Sequence, residues 1–179
     1  LFLSALGAEV VKIDDPNEGD PVRNSPPFFG KDGVSMSKAS PLDIGIAYLK
    51  RARSKKSIEL DLKSEDGINT FMRLAEKADV IVENFRVGVT KRLKIDYEQL
   101  KSKNPKIIYC SITGFGATGP DASKKAFDAT VQAASGLMSI TGEPDGLPMK
   151  IGSSMADTIA GTFAFSGILA SLFRREKTG

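Results

Sequence analysis

The chain of 179 residues contains no histidine and a single cysteine, Cys110. The first absence excludes Ser-His-Asp and Cys-His catalysis, and the two together leave no soft metal site, so no metal is expected. One cysteine cannot form an internal disulfide, and nothing implies an oxidising compartment. Cys110 lies between Tyr109 and Ser111 in a predicted strand, where a buried structural thiol is expected. The net charge is only +3, too small to suggest a dedicated nucleic-acid binder, and no nucleic-acid partner is expected. No uninterrupted apolar run reaches the ~20 residues that span a bilayer, so no membrane partner is expected either. Internal repeats and low-complexity segments are missing as well. What remains for chemistry is carboxylate, lysine, hydroxyl and backbone. The chain begins at Leu1 in what reads as the end of a helix (Leu1–Leu6), and the expectation is a piece of a longer protein.

The β-branched run Val10-Val11-Lys12-Ile13 reads as a buried strand, and Asp14 to Pro41 as a long loop rich in Pro, Gly, Asn, Asp and Ser. Ile44–Leu49 fits helix or strand equally. Ser57–Leu62 alternates apolar and polar residues as a strand does. Ser64–Ala78 carries the apolar spacing of an amphipathic helix, with Ser64 as its cap. Val80–Val82 and Ile107–Thr113 read as buried strands, Asp96–Lys103 as a short helix stopped by Asn104-Pro105, and Ala126–Ser135 as helical. Short buried strands alternating with helices predict an α/β fold, a parallel sheet with helices on both faces. In such sheets ligands lie beyond the carboxyl ends of the strands. Those ends are the loops at Asp14, Asn84–Arg86 and Gly114–Lys125.

From Gly152 to Gly179 the chain changes character. Ser153 and Ser154 are suitable N-cap residues, Met155–Phe173 is small or apolar without a charge after Asp157, and Arg174, Arg175 and Lys177 suit a helix C-terminus. This predicts a long helix, apolar nearly all round and therefore buried. Asp157 falls within a turn of the positive helix end, which favours the anion by ~0.3–1 kcal/mol. Two roles stay open for it: a cap, or a positioned carboxylate nucleophile.

Two further features bear on ligands. Gly114-Phe115-Gly116-Ala117-Thr118-Gly119 matches G-x-G-x-x-G after a strand, but Pro120–Ser123 prolongs the loop where a dinucleotide site needs a helix to open. Lys50–Lys56 holds five cations in seven residues, either a solvated face or a clamp for phosphates to which Lys124, Lys125 and Arg92 could add.

Several segments occur in an order that resembles the class III CoA-transferases (CaiB/BaiF type, formyl-CoA transferase-like), a family related to the α-methylacyl-CoA racemases. They are Leu6–Ile13, Gly19–Arg23, Lys55–Lys63, Ala78–Arg86, Ile108–Gly116, Gln132–Met138, Asp157 with its helix, and Arg175–Gly179. The resemblance implies a Rossmann-like, CoA-binding part of a large domain over 1–152. It further implies that residues 153–179 form a long buried linker helix toward a smaller domain, the whole being a fragment of an interlocked homodimer. It implies that Asp157 is the catalytic aspartate, attacking an acyl-CoA thioester to give a mixed anhydride and then an aspartyl-CoA thioester, so that CoA passes to a small carboxylic acid. It places Asn84, Phe85, Arg92, Leu60, Lys63 and Lys125 at CoA-contacting positions. CoA is then a substrate, with no cofactor held permanently. Departures exist: an Asn-Arg-Asn/Gly-Lys box reads Ala52-Arg53-Ser54-Lys55, and an arginine after the first strand is Asp15. A CoA-contacting glutamine and a glycine-rich closing loop have no counterpart here, so these residues alone are expected to be inactive. Phe127 stands where the racemases keep a histidine; phenylalanine exchanges no proton, which disfavours racemisation. A non-catalytic CoA- or nucleotide-binding module is the remaining alternative.

Overall fold

A computed structural model describes residues 1–179 as two units, Leu1–Phe71 and Met72–Gly179. In chain order the first holds α1 (Phe2–Ala5), β1 (Val10–Asp14), β2 (Phe28–Gly30), β3 (Gly33–Ser35), β4 (Ile44–Gly45), α2 (Ile46–Ala52) and β5 (Lys55–Glu59). Helix α3 (Glu65–Ala75) crosses the division. The second unit holds β6 (Val80–Glu83), α4 (Val89–Arg92), α5 (Tyr97–Lys103), β7 (Ile108–Ser111), α6 (Asp128–Ala134) and α7 (Met155–Thr178). The architecture is mixed α/β with parallel strands.

In the first unit, β1 and β5 run parallel, from Val10 opposite Lys55 to Asp14 opposite Glu59. The segment expected as a loop is not wholly irregular. Strands β2 and β3 form an antiparallel hairpin turned at Gly33, whose φ of +98° suits glycine, and β2 also pairs with β4. Phe28 anchors this small sheet and is buried. Strands of two or three residues are too short to show an alternating pattern, so periodicity alone misses them. Ile44–Leu49 proves to be both structures in succession, β4 and then the start of α2. Gly45 sits at the junction because a Cβ there would come within 2.5 Å of the carbonyl oxygens of Ser25 and Val22. The basic run is divided: Lys50 and Arg51 close α2 and Lys55 and Lys56 open β5. Lys56 pairs with Glu9 at 3.0 Å, both largely exposed, so this pair behaves as a solvated face.

In the second unit, β6 and β7 run parallel from Val80 opposite Ile108 to Glu83 opposite Ser111. Asp96 caps α5 by accepting from Glu98 N–H at 3.1 Å. Asn104, which ends α5, donates through Nδ2 to the carbonyls of Ala75 and Ala78 at 3.1 and 2.8 Å, fixing the turn before β6. Ile95, Leu100 and Ile107 are buried here. Upstream, Ser64 caps α3 as expected, its hydroxyl accepting from Gly67 N–H at 3.0 Å.

Helix α7 corrects one expectation: it is not buried. It packs against α6 and β7, but Ile168 is its one buried residue, while Phe163 is 74% and Phe173 67% exposed. An all-round apolar helix needs neighbours on every side, and these residues supply them on part of its surface. A second correction concerns length. As a 24-residue helix, α7 is long and apolar enough by composition to cross a membrane, because its interrupting Gly, Ser and Thr lower the mean hydropathy only slightly.

Candidate functional site

Parallel pairing delivers the carboxyl ends of β6 and β7 side by side, and Ile112 N–H extends the ladder by bonding to Glu83 O at 2.9 Å. Asn84 and Phe85 follow immediately and are exposed. The Glu83 carboxylate accepts from Phe85 N–H at 2.7 Å, which fixes how the chain leaves the strand. Burial, followed by the charge of Glu83, pushes Tyr109 up to about 12. The same two causes in the same order raise the Cys110 thiol. A thiol held protonated is a poor nucleophile. Arg92 ends α4 with its guanidinium exposed and unpaired.

The glycine motif earns its residues through close approach. A Cβ on Gly114 would lie 1.9 Å from Ala126 Cβ, so glycine lets the end of the loop return to the end of β7. That return carries Lys125, exposed and without a partner, back toward the strand ends, whereas Lys124 is paired with Asp121 at 2.7 Å. No helix opens within the motif; α6 begins at Asp128. The dinucleotide reading therefore lacks the helix terminus on which it depends. Phe127, for which the resemblance to racemases implied a histidine position, precedes α6 and is 70% exposed.

The start of α7 is organised differently from the expectation. Ser154 occupies the N-cap position but its side chain makes no capping bond, and neither does that of Ser153. The cap comes from α6. Asp128 Oδ1 accepts from Ala156 N–H at 2.8 Å and from Asp157 N–H at 3.3 Å. Its Oδ2 accepts from Gln132 Nε2 at 2.7 Å. A full carboxylate from a neighbouring helix satisfies two of the terminal donors and complements their positive end better than a hydroxyl does. Asp157 is thereby released from the capping role left open for it. Its carboxylate is exposed, with no hydrogen bond and no ion pair.

In the first unit, Leu60 and Lys63 follow the carboxyl end of β5. Leu60 N–H bonds to Asp14 O at 3.0 Å, and Lys63 is exposed with its N–H on Asp61 Oδ1 at 2.9 Å. The neighbouring Asp15 is half-buried, and the backbone N–H groups of Asn17 and Glu18 hold its carboxyl below the usual range. Sequence reasoning missed a charged cluster here. Lys12 pairs with Asp14 and, at 2.7 Å, with Asp20, and its ammonium lies 5.5 Å from the centre of the Tyr48 ring. Partial burial opposes both charges of the Lys12–Asp14 pair, but hydrogen bonding outweighs it, raising Lys12 and lowering Asp14. The alternation of Lys12 and Asp14 on one strand face was the signal available. At the far end of α7 from Asp157, a cavity of about 430 Å³ is lined by Asp79, Asn104, Lys106 and Arg175 among others. Arg175 there bonds to Asp79 at 2.6 Å and to Lys106 O at 3.1 Å, which staples the helix end.

Comparisons with known proteins add to this geometry. Residues 1–179 match the family model described as CoA-transferase family III. The chain is 44% identical over 180 residues to a succinate–glutarate CoA-transferase of Agrobacterium fabrum, covering 99% of this chain and 43% of the relative. It is 43% identical over 179 residues to an acetyl-CoA:oxalate CoA-transferase of Acetobacter aceti, with the same two coverages of 99% and 43%. A crystal structure of a CaiB/BaiF family protein from Brucella suis superposes with a TM-score of 0.88 at 40% identity, over 99% of this chain and 45% of that one. The chain thus spans less than half the length of each of these relatives.

Proposed function

The chain belongs to CoA-transferase family III, and from that premise we propose that it carries the nucleophile and part of the CoA site of an acyl-CoA:carboxylate CoA-transferase. The observation that carries the reading is the exposed, unpartnered Asp157 carboxylate on a helix turn whose N–H groups are already held by Asp128. A carboxylate spent on a cap or an ion pair would have to break it before attacking; this one is free.

Asp157 attacks the thioester carbonyl, the C–S bond breaks, and CoA leaves as its thiolate with a mixed anhydride on the aspartate. The thiolate then attacks the aspartyl carbonyl, releasing the first acid and leaving an aspartyl-CoA thioester. The acceptor carboxylate repeats the two steps in reverse order, so CoA passes to it and Asp157 is restored. Dividing one exchange into covalent steps lowers each barrier. In the second unit, Asn84 and Phe85 supply a polar contact and an aromatic surface for CoA, and Arg92 and Lys125 supply charge for its phosphates. In the first unit, Leu60 and Lys63 offer an apolar contact and a further cation. CoA acts as substrate, with no permanent cofactor. The named activities of the relatives, on succinate, glutarate and oxalate, support a small dicarboxylic acid as acceptor. The exposed apolar side of α7, with Phe163 and Phe173, is covered in the intact enzyme by a smaller domain or the other subunit of an interlocked homodimer, and these residues alone are inactive.

The test uses the full-length protein incubated with succinyl-CoA and then with hydroxylamine or borohydride. The expected result is a trapped adduct on Asp157, and loss of exchange with oxalate or glutarate in Asp157→Ala. Retained turnover in that variant removes the mechanism.

A further inference from the structure

A primary amide taken out of water must find partners for two N–H donors and for its carbonyl, because an unsatisfied buried polar group is costly. Gln132, on α6, is completely buried, and its partners all lead toward the nucleophile. Its Nε2 donates to Asp128 Oδ2 at 2.7 Å and to Ser153 O at 3.4 Å, and its Oε1 accepts from Ile151 N–H at 3.0 Å. The residues it grips, Ile151 and Ser153, are those that turn the chain into α7. The carboxylate it grips, Asp128, is the one that holds the backbone N–H groups of Ala156 and Asp157. An unbroken series of bonds therefore runs from the interior of α6 to the backbone of Asp157, and none of them engages the Asp157 carboxylate.

We propose that Gln132 is a positioning residue for Asp157, fixing the turn 151–157 against α6 so that the carboxylate is held in place without being bonded. This rests on Asp157 being the nucleophile. The amide is specific to the task. It donates and accepts at once and carries no charge, whereas a hydrocarbon does neither and an ionised carboxylate cannot donate to Asp128. Asp128 is the only charged group among the hydrogen-bond partners of Gln132. Lys150 turns its ammonium to the carbonyls of Ile151 and Gly152, at 2.9 and 3.5 Å, and the Asp157 side chain is exposed. Small displacements matter for such a nucleophile, since a misplacement of about 1 Å can cost roughly 10²-fold in rate.

The experiment compares wild type, Gln132→Leu and Gln132→Glu in the full-length protein. Gln132→Leu is expected to lower kcat by about 10²-fold while KM for the acyl-CoA stays within about threefold. Amide hydrogen exchange at Ala156 and Asp157 is expected to accelerate at least about tenfold as their bonds to Asp128 loosen. Gln132→Glu is expected to be impaired at pH 8 and to recover as the pH falls, because the protonated carboxyl again donates to Asp128 while accepting from Ile151. Wild type shows no such recovery. A Gln132→Leu protein with kcat within about threefold of wild type and unchanged amide exchange, or a Gln132→Glu profile parallel to that of wild type, overturns the proposal. If the leucine variant does not fold, the glutamate profile decides alone. Absence of exchange in wild type itself sinks the transferase reading instead, and the amide exchange rates still judge the positioning role.

Discussion

Asp14 and Asp157 are both aspartates at the end of a regular element, one closing β1 and one opening α7, and they are treated in opposite ways. Asp14 is bonded by the Lys12 ammonium and the Ser57 hydroxyl, and Lys12 is shared with Asp20. Its acidity is raised by that company. Asp157 stands on a helix end whose donors are taken by Asp128, and its own oxygens meet nothing. The first arrangement spends a carboxylate on holding the first unit together. The second spends a different carboxylate on the structural task and keeps Asp157 in reserve. The contrast separates a structural acid from the one proposed as nucleophile more clearly than burial does.

The comparison is sharpened most by Asp157→Asn. Exchange should fall at least about 10³-fold, since a covalent step is lost, while the melting temperature stays nearly unchanged because the side chain has no partner to lose. A large drop in melting temperature would break the contrast. Asp128→Ala comes next. It removes the cap and leaves a buried Gln132 donor unpaired, so a destabilisation of about 2 kcal/mol is expected in denaturant unfolding.

Asp14→Asn should cost about 1 kcal/mol, tempered by solvent screening of a partly exposed pair. Its pH dependence is distinctive. The Asp14 carboxyl is depressed in the fold, so its contribution is complete above the ordinary carboxylate value of about 3.9 and is lost as the pH falls through the lower folded value. Lys12 is raised, so its contribution is complete below about 10.4 and is lost as the pH rises beyond the folded value. The stability gap between wild type and variant should therefore be flat from about pH 5 to pH 9 and narrow at both extremes. The smallest effect belongs to Ser154→Ala. A working hydroxyl cap is worth about 1 kcal/mol, but this one makes no bond, and a change within about 0.5 kcal/mol is expected.

Much of the scaffold was legible because its signals are local. β-Branched runs marked β1, β6 and β7, the cap Ser64 marked the start of α3, and Asn104-Pro105 marked where α5 stops. Asp157 stood out as the last charge before a long apolar stretch, but that pattern left cap and nucleophile both open, and only the family resemblance pointed to the second. The hairpin of β2 and β3 was not, since three-residue strands carry no period. The exposure of α7 was misjudged for a different reason: composition reports that a helix has apolar surface on all sides, but not whether the residues at hand cover it.

The amino-acid sequence by itself determined where the helices and parallel strands form and put one acid near the start of an apolar helix, because caps and periodicities act over a turn or two. Only the tertiary structure decided which acid would cap that helix and which would stay free. Asp128 reaches the N–H of Ala156 across 28 positions of sequence, a contact that exists only once α6 and α7 are packed together.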